Sequence, residues 1–296
     1  MSTYSEEIKK SIAKAQAVIV GIGSEFAVDT EAVIGENESY LCFDKYMTLY
    51  KADALEKLGN EAYNVIEQYI KHAVYCRELL GGNNKIINKY ISSYKKISSL
   101  LDGKRYFILT LNTDDIIYEG GFDENNIAAP CGSILRLQSG CDCDSLCQTA
   151  KPVLEEIFNI IFTLKEDDEK SSVTKNTFLD LLDRIRDIIP KCECQTPRVF
   201  NVHSEKKYDE SGYMPQWEKY TRWLQLTLNK ELVLLELGVG FDVPTVIRWP
   251  FEKIAMLNYK AWLYRINSKV PQLPTEIKDK GTSVNENSFE FINADF

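Results

Sequence analysis

The residues best suited to chemistry lie between Arg105 and Gly132, in the stretch RYFILTLNTDDIIYEGGFDENNIAAPCG. A short apolar run, Tyr106 to Leu111, has the composition and length of a strand buried on both faces of a parallel sheet. It gives way to Asn112, Thr113, Asp114 and Asp115. In open α/β sheets ligands bind outside the carboxyl ends of the strands, so an amide and carboxylates there stand where a polar ligand would be oriented. The stretch closes on Cys131-Gly132. A thiol acts as nucleophile or base only when deprotonated, and at its ordinary pKa, near 8.5, it is largely neutral at pH 7 unless a cation or a helix N-terminus lowers it. No cation stands beside Cys131 in the sequence, so it reads either as an inert residue or as an active nucleophile or base.

Two glycine turns follow apolar runs. Gly21-Ile22-Gly23-Ser24-Glu25-Phe26 is a GxG turn with Phe where a dinucleotide fingerprint wants a third glycine, and a tight turn alone would also explain it. The surrounding segment, Ala15 to Asp44, carries six carboxylates (Glu25, Asp29, Glu31, Glu36, Glu38, Asp44) and no Lys or Arg. Such a loop either weakens phosphate binding or is a solvated face turned away from any ligand. Gly238-Val239-Gly240 ends a second run, with Asp242 as an expected N-cap and Pro244 near the first turn of a helix reaching about Leu257. The amide-rich start of that helix could hold a nucleotide. Two groups of thiols, Cys141-x-Cys143-x-x-x-Cys147 and Cys192-x-Cys194, fit a structural zinc site, because four thiolates can tie together two segments that build no core alone. The expected ligands are Cys143, Cys147, Cys192 and Cys194, with Cys141 as the alternative; unrelated thiols are the competing reading. His72, inside a helical pattern with nothing to orient it, reads as a packing residue.

The elements that must position these groups follow from periodicity. Helices are expected over Ser5–Gln16, Ala52–Leu80 (one long helix or a broken pair), Lys85–Leu101, Pro152–Leu164, Thr174–Ile189 and Tyr213–Leu228. Strands are expected at Ala17–Val20, Tyr106–Leu111, Arg198–Val202, Leu232–Leu237, Lys260–Ile266 and, as a last edge strand, Phe289–Ile292. Alternation of strand and helix gives an α/β, doubly wound and mostly parallel sheet with a smaller helical zinc-binding insert. The expected domains are 1–135 with 198–296, and 136–197. With 35 basic and 44 acidic residues among 296, the chain is poorly suited to a nucleic-acid partner. No run of 18 apolar residues and no signal peptide is evident, so no membrane partner is expected and the cytoplasm is the expected compartment. Eight cysteines there would be reduced or metal-bound.

In order, the GxG turn, the TxNxD-like strand end, the Gly132-Ser133 pair, the two cysteine groups, the late strand ending in GxG and a strand ending in Ile266-Asn267 resemble the sirtuins. The run Leu235-Glu-Leu-Gly-Val-Gly-Phe-Asp-Val-Pro-Thr-Val-Ile-Arg-Trp-Pro-Phe251 is similar to the LELGVG-x-x-x-P-x-x-I-x-x-P-F wording of the macrodomain-linked, class M branch. YFILTLNTDD, Gly121-Phe122 and Ile188-Ile189-Pro190-Lys191-Cys192 resemble further parts of that branch. The resemblance implies a Rossmann-like domain that consumes NAD, breaking the nicotinamide–ribose bond and passing the ribose to a nucleophile. In class M it implies protein ADP-ribosylation, on lipoyl-carrier proteins, in place of deacylation. Asn112 matches the asparagine that orients the nicotinamide ribose and reactive water, and Asp114 the aspartate two places on. Gly21, Gly23 and Ser24 match the first turn; Gly238, Val239 and Gly240 match the strand end that contacts ribose and phosphates; Asn267 matches the residue that helps hold the adenosine half. Cys131 stands where deacylating sirtuins carry a histidine base and class M a glutamine, so histidine-dependent deacylation is expected to be absent. The serine-rich continuation of the first turn and its Asp-Phe-Arg element are missing. The expected function is therefore an NAD-dependent protein ADP-ribosyltransferase or NAD hydrolase. A nucleotide-binding protein without turnover and a zinc-stabilised interaction module are the alternatives.

Overall fold

A computed structural model describes residues 3–141, 143, 147–168 and 173–296. The strands are β1 (Ala17–Ile22), β2 (Tyr106–Thr110), β3 (Ile127–Ala128), β4 (Gly132–Gln138), β5 (Gln148–Thr149), β6 (Val199–Val202), β7 (Leu232–Leu237), β8 (Ala261–Ile266) and β9 (Gly281–Val284). The α-helices are α1 (Thr3–Lys14), α2 (Thr30–Gly35), α3 (Glu38–Leu49), α4 (Lys51–Leu58), α5 (Asn60–Gly81), α6 (Lys85–Leu100), α7 (Lys151–Asp168), α8 (Lys175–Ile188), α9 (Met214–Gln225), α10 (Arg248–Leu257) and α11 (Ser288–Asp295). The chain packs as two units, one of Met1–Val28, Lys89–Ser133 and Glu210–Phe296, the other of Asp29–Asn88 and Ile134–Asp209. These packing units part from the expected 1–135 with 198–296 at residues 29–88, 134–135 and 198–209. Helices α2 to α5 go with the cysteine-bearing residues because the apolar face of α5 is buried against α7, and α3 packs on α7 as well.

The first unit is built on a six-stranded sheet in the order β3-β2-β1-β7-β8-β9, with neighbouring strands parallel throughout. AVIVGI and LVLLEL are buried at every position, as central parallel strands must be when helices cover both faces. On one face Ile19, Phe107, Leu109, Leu234 and Leu263 pack with Tyr220 of α9 and Phe251 and Ala255 of α10. On the other face Tyr264 of β8 meets α1, its Oη 2.6 Å from Ser11 Oγ. From β1 the chain moves to β2 and β3 on one side and later to β7, β8 and β9 on the other. The strand order therefore reverses between β1 and β7, and the carboxyl ends of those two strands define the crevice where such sheets take ligands.

One expected element is overturned, and one open alternative is decided. Phe289–Ile292 belongs to helix α11, not to an edge strand: Asn287 Oδ1 accepts from the Glu290 amide at 3.0 Å, which fixes a helix N-terminus. The edge strand is the weakly apolar β9, GTSV. Ala52–Leu80 is a broken pair, α4 and α5, divided at Gly59 with φ +77°.

The second unit is mainly helical, with Phe43, Tyr46 and Tyr50 gathered on Phe178. It also carries a three-stranded sheet, β5-β4-β6, from whose ends the cysteines project.

Candidate functional site

Four strand ends meet in register at the crevice. The Gly23 amide donates to Leu237 O, the Leu111 amide to Ile22 O and the Gly238 amide to Ile266 O, each at 2.9 Å. This ladder brings Gly21, Gly23, Ser24, Asn112, Asp114, Gly238, Val239, Gly240 and Asn267 to one edge of one sheet. The glycines are required by close packing. A Cβ on Gly23 would lie 2.4 Å from Gly238 O, and one on Gly21 2.4 Å from Ile247 Cγ2 of the turn that enters α10. Gly238 has φ +63°. Gly240 faces open space, its nearest neighbour being Asp242 Oδ2 at 3.8 Å.

The expected helix start after Gly240 is corrected. Residues 241–247 form turns, α10 begins only at Arg248, and Ile247 at its N-cap has no side-chain cap. Asp242 caps nothing there, since the Trp249 amide bonds Pro244 O and the chain needs a further turn before the helix can form. The second glycine turn is instead held from beneath. Val239 O accepts from Arg248 Nη1 at 3.1 Å and Asn267 Nδ2 at 3.0 Å. Arg265, fully buried, makes a two-pronged pair with Glu236, Nε to Oε1 at 2.7 Å and Nη2 to Oε2 at 3.0 Å, and a third contact to Glu252 Oε1 at 2.8 Å. Glu236 and Arg265 face each other because β7 and β8 pair in register at those positions.

At the end of β2, Asn112 is 8% exposed; its side chain approaches the buried Tyr94 hydroxyl, but neither Nδ2 nor that hydroxyl makes a well-formed hydrogen bond among the described residues. An unpaired buried amide costs free energy unless a ligand satisfies it, which is the feature here that fits a polar ligand such as a ribose. Asp114 accepts from the Val28 amide through Oδ2 and the Ile116 amide through Oδ1, each at 3.1 Å. Burial pushes its carboxyl up to about 6, although the two amide bonds oppose the shift. The neighbouring Asp115 has φ +60°, uncommon for a non-glycine residue, and accepts from Ser133 Oγ. Cys131 is 2% exposed, and burial pushes its thiol up to about 11. Of the two readings of Cys131, this favours the inert one, since a neutral thiol is neither nucleophile nor base.

The sulfurs of Cys141, Cys143, Cys192 and Cys194 lie within 4.8 Å of one another. Adjacent pairs approach closely, Cys141 to Cys143 and Cys141 to Cys194 at 3.0 Å and Cys192 to Cys194 at 3.2 Å. A tetrahedral zinc with Zn–S of about 2.3 Å sets sulfurs about 3.8 Å apart, so the group fits the ion after a spread of under ~1 Å. Cys147 lies outside this group and Cys141 takes its place. The reason is strand pairing: β5, which follows Cys147 directly, runs back along β4 with Leu137 opposite Gln148, whereas Cys141 lies beyond the end of β4. The second pair sits on a tight knuckle closed by the Cys192 amide to Thr196 O at 2.9 Å, with Gln195 at φ +66°. None of the eight cysteines forms a disulfide. His72 is a packing residue, its ring edge-on to Phe200 at 4.0 Å, and burial lowers it to about 4.

The fold so described is that of the sirtuins. Over its full length the chain is similar to two solved structures, one titled "The Structural basis of Sirtuin Substrate Affinity" (TM-score 0.51, 13% identity, 98% of that chain covered), the other "Structural Basis for the Mechanism and Regulation of Sir2 Enzymes" (TM-score 0.51, 12% identity, 97% covered). Among curated proteins it is similar to the "Protein ADP-ribosyltransferase" of Staphylococcus aureus, 22% identical over 95% of this chain and 84% of that one. It is also 27% identical, over 61% of this chain and 29% of the relative, to the "Probable bifunctional ADP-ribose hydrolase/ADP-ribosyltransferase" of Fusarium oxysporum f. sp. cubense. No family model matches the chain. No described helix is long and apolar enough to cross a membrane.

Sequence reasoning named Asp115 and Ser133 without a role and missed Tyr94, Ser268 and Ser288. Asn267-Ser268 at a strand end and the Asn287-to-Glu290 capping spacing were the available signals for the last two.

Proposed function

We propose that this protein is a sirtuin-like, NAD-consuming protein ADP-ribosyltransferase, with hydrolysis of the same bond as its side activity. The observation that carries the reading is Asn112 Nδ2, a buried and unpartnered donor at the end of β2, beside the point where the strand order reverses. The likeness to the Staphylococcus aureus ADP-ribosyltransferase across nearly the whole chain supports transfer to a protein.

NAD, when bound, supplies a ribose already activated by its bond to nicotinamide. Asn112 donates from Nδ2 to a ribose hydroxyl or to the attacking group and so fixes its approach. Asp114 holds the Val28 and Ile116 amides, and thereby both loops that border Asn112; above pH 6 its negative charge favours positive charge developing on the ribose. Gly240 leaves space at the second turn. Cys131 stays neutral and takes no proton. Cys141, Cys143, Cys192 and Cys194 would hold a structural zinc. In the finer reading the acceptor resembles the lipoyl-carrier proteins of the macrodomain-linked branch.

The test is release of nicotinamide from NAD, with mass spectrometry of added acceptor proteins. Wild type and Cys131→Ala release nicotinamide alike, and Asn112→Ala is slower by about 100-fold, the usual cost of removing one transition-state donor. Absence of both turnover and binding at millimolar NAD would refute the proposal.

A further inference from the structure

Glu25 follows the first glycine turn and points into a cluster of hydrogen-bond donors that the proposed chemistry does not use. Its Oε1 accepts from the Ser268 amide at 2.8 Å and the Ser268 hydroxyl at 2.6 Å. Its Oε2 accepts from the Ser288 amide at 2.6 Å. Ser288 is the first residue of α11, whose free amides and helix dipole favour an anion. A fourth donor is present. Ser288 Oγ is fully buried and has no hydrogen-bond partner among the described residues. It lies 2.7 Å from where a Gly238 Cβ would stand, and Glu25 Cβ lies 2.4 Å from the same point, so hydroxyl and carboxylate side chain converge on one glycine.

Three of these donors hold the two oxygens of the carboxylate, and the Ser288 hydroxyl bonds to neither. A phosphate brings another oxygen, which could take the Ser288 hydroxyl. We propose that Ser268 and Ser288 form a phosphate site at the carboxyl ends of β1, β7 and β8, and that Glu25 fills it as an internal competitor. An incoming phosphoanion must then displace the carboxylate. The inference rests on the reading that a dinucleotide binds in this crevice, and it assigns the position of one of its phosphates. Glu25 can swing out without a backbone change: the donors bind only its two terminal oxygens, and the side chain is partly exposed.

Isothermal titration with inorganic pyrophosphate and with ADP-ribose tests this on the full chain. Glu25→Gln keeps the size of the side chain and removes its charge, and should bind both probes at least tenfold more tightly than wild type. Adding Ser268→Ala to that variant should cancel the gain. Equal or weaker binding by Glu25→Gln overturns the inference; weaker binding would mean that Glu25 touches ligand hydroxyls. A second measurement uses wild type alone: saturating pyrophosphate should shift the backbone amide resonances of Ser268 and Ser288, and unmoved resonances, or no binding of pyrophosphate at all, would also overturn it. Nicotinamide release is scored separately. Release without a Glu25 effect would sink this inference and leave the transferase reading standing; a Glu25 effect without release would do the reverse.

Discussion

Asp114→Asn should change how the stability of the sheet-bearing unit depends on pH, in a direction opposite to that of an ordinary paired carboxylate. The Asp114 carboxyl is pushed from 3.8 up to about 6 by burial. Its proton is therefore held more firmly in the folded protein than in the unfolded chain. The stabilisation is fully present below pH 3.8 and is lost as pH rises through 6, a total of about 3 kcal/mol at 1.36 kcal/mol per unit, of which about 2 kcal/mol disappears between pH 4 and pH 7. Asparagine has no such term. It leaves one of the two amides, Val28 or Ile116, without its acceptor, at a cost of about 1–3 kcal/mol that does not vary with pH. The gap between wild type and variant should thus narrow by about 2 kcal/mol from pH 4 to pH 7. His72, lowered to about 4, gives the opposite slope, but equally in both proteins, so it cancels. Urea unfolding followed by tryptophan fluorescence is the assay, because Trp217, Trp223, Trp249 and Trp262 all lie in the same unit as Asp114. A gap that stays constant within ~0.5 kcal/mol over this range would refute the burial argument.

Metal content should separate the cysteines: zinc measured by atomic emission stays near one per chain in Cys147→Ser and is lost in Cys194→Ser, and a strong chelator lowers the melting temperature of the former but not of the latter. Beneath the second glycine turn, Arg265→Met leaves the fully buried Glu236 with only Arg248 Nη1, 3.5 Å away, and should cost up to about 3–5 kcal/mol in urea unfolding. Combining it with Glu236→Leu should recover part of that loss, because Arg248 and Glu252, 3.9 Å apart, are left to pair with each other.

The sheet was legible because its central strands are continuous apolar runs, and parallel strands covered on both faces have no need of alternation. β1 and β7 are such runs; β9, with Thr282 and Ser283 inside it, is not, and its pairing with β8 is visible only in three dimensions. Phe289, Phe291 and Ile292 fit a strand or a helix equally, and the Asn287 cap decided between them. The thiol group was legible as one that could hold a metal but not in its membership, since spacing says nothing of how β5 folds back along β4. Asn112 and Asp114 could be read from their place after a strand. What they lack or hold, an unmet Nδ2 and two amides, could not.

The acidic character of Ala15 to Asp44 shows why counting charges was too coarse. Asp29 is used to cap α2, accepting from the Ala32 amide at 3.1 Å, and Glu31 pairs with Lys71 at 3.0 Å. Glu31 is thus offset by a cation, and Asp29 is turned onto the start of α2. Glu25 differs because its partners lie 243 and 263 residues away, on two separate strand-end and helix-end segments. No local pattern can announce that meeting. The turn above it is rigid: Gly23 is closed against Gly238, and Val239 O is clamped from two sides over a buried ion network. Where the backbone cannot yield, a ligand must be admitted by a side chain. In this crevice Glu25, partly exposed and held only by hydrogen bonds at its tip, is the group best able to move.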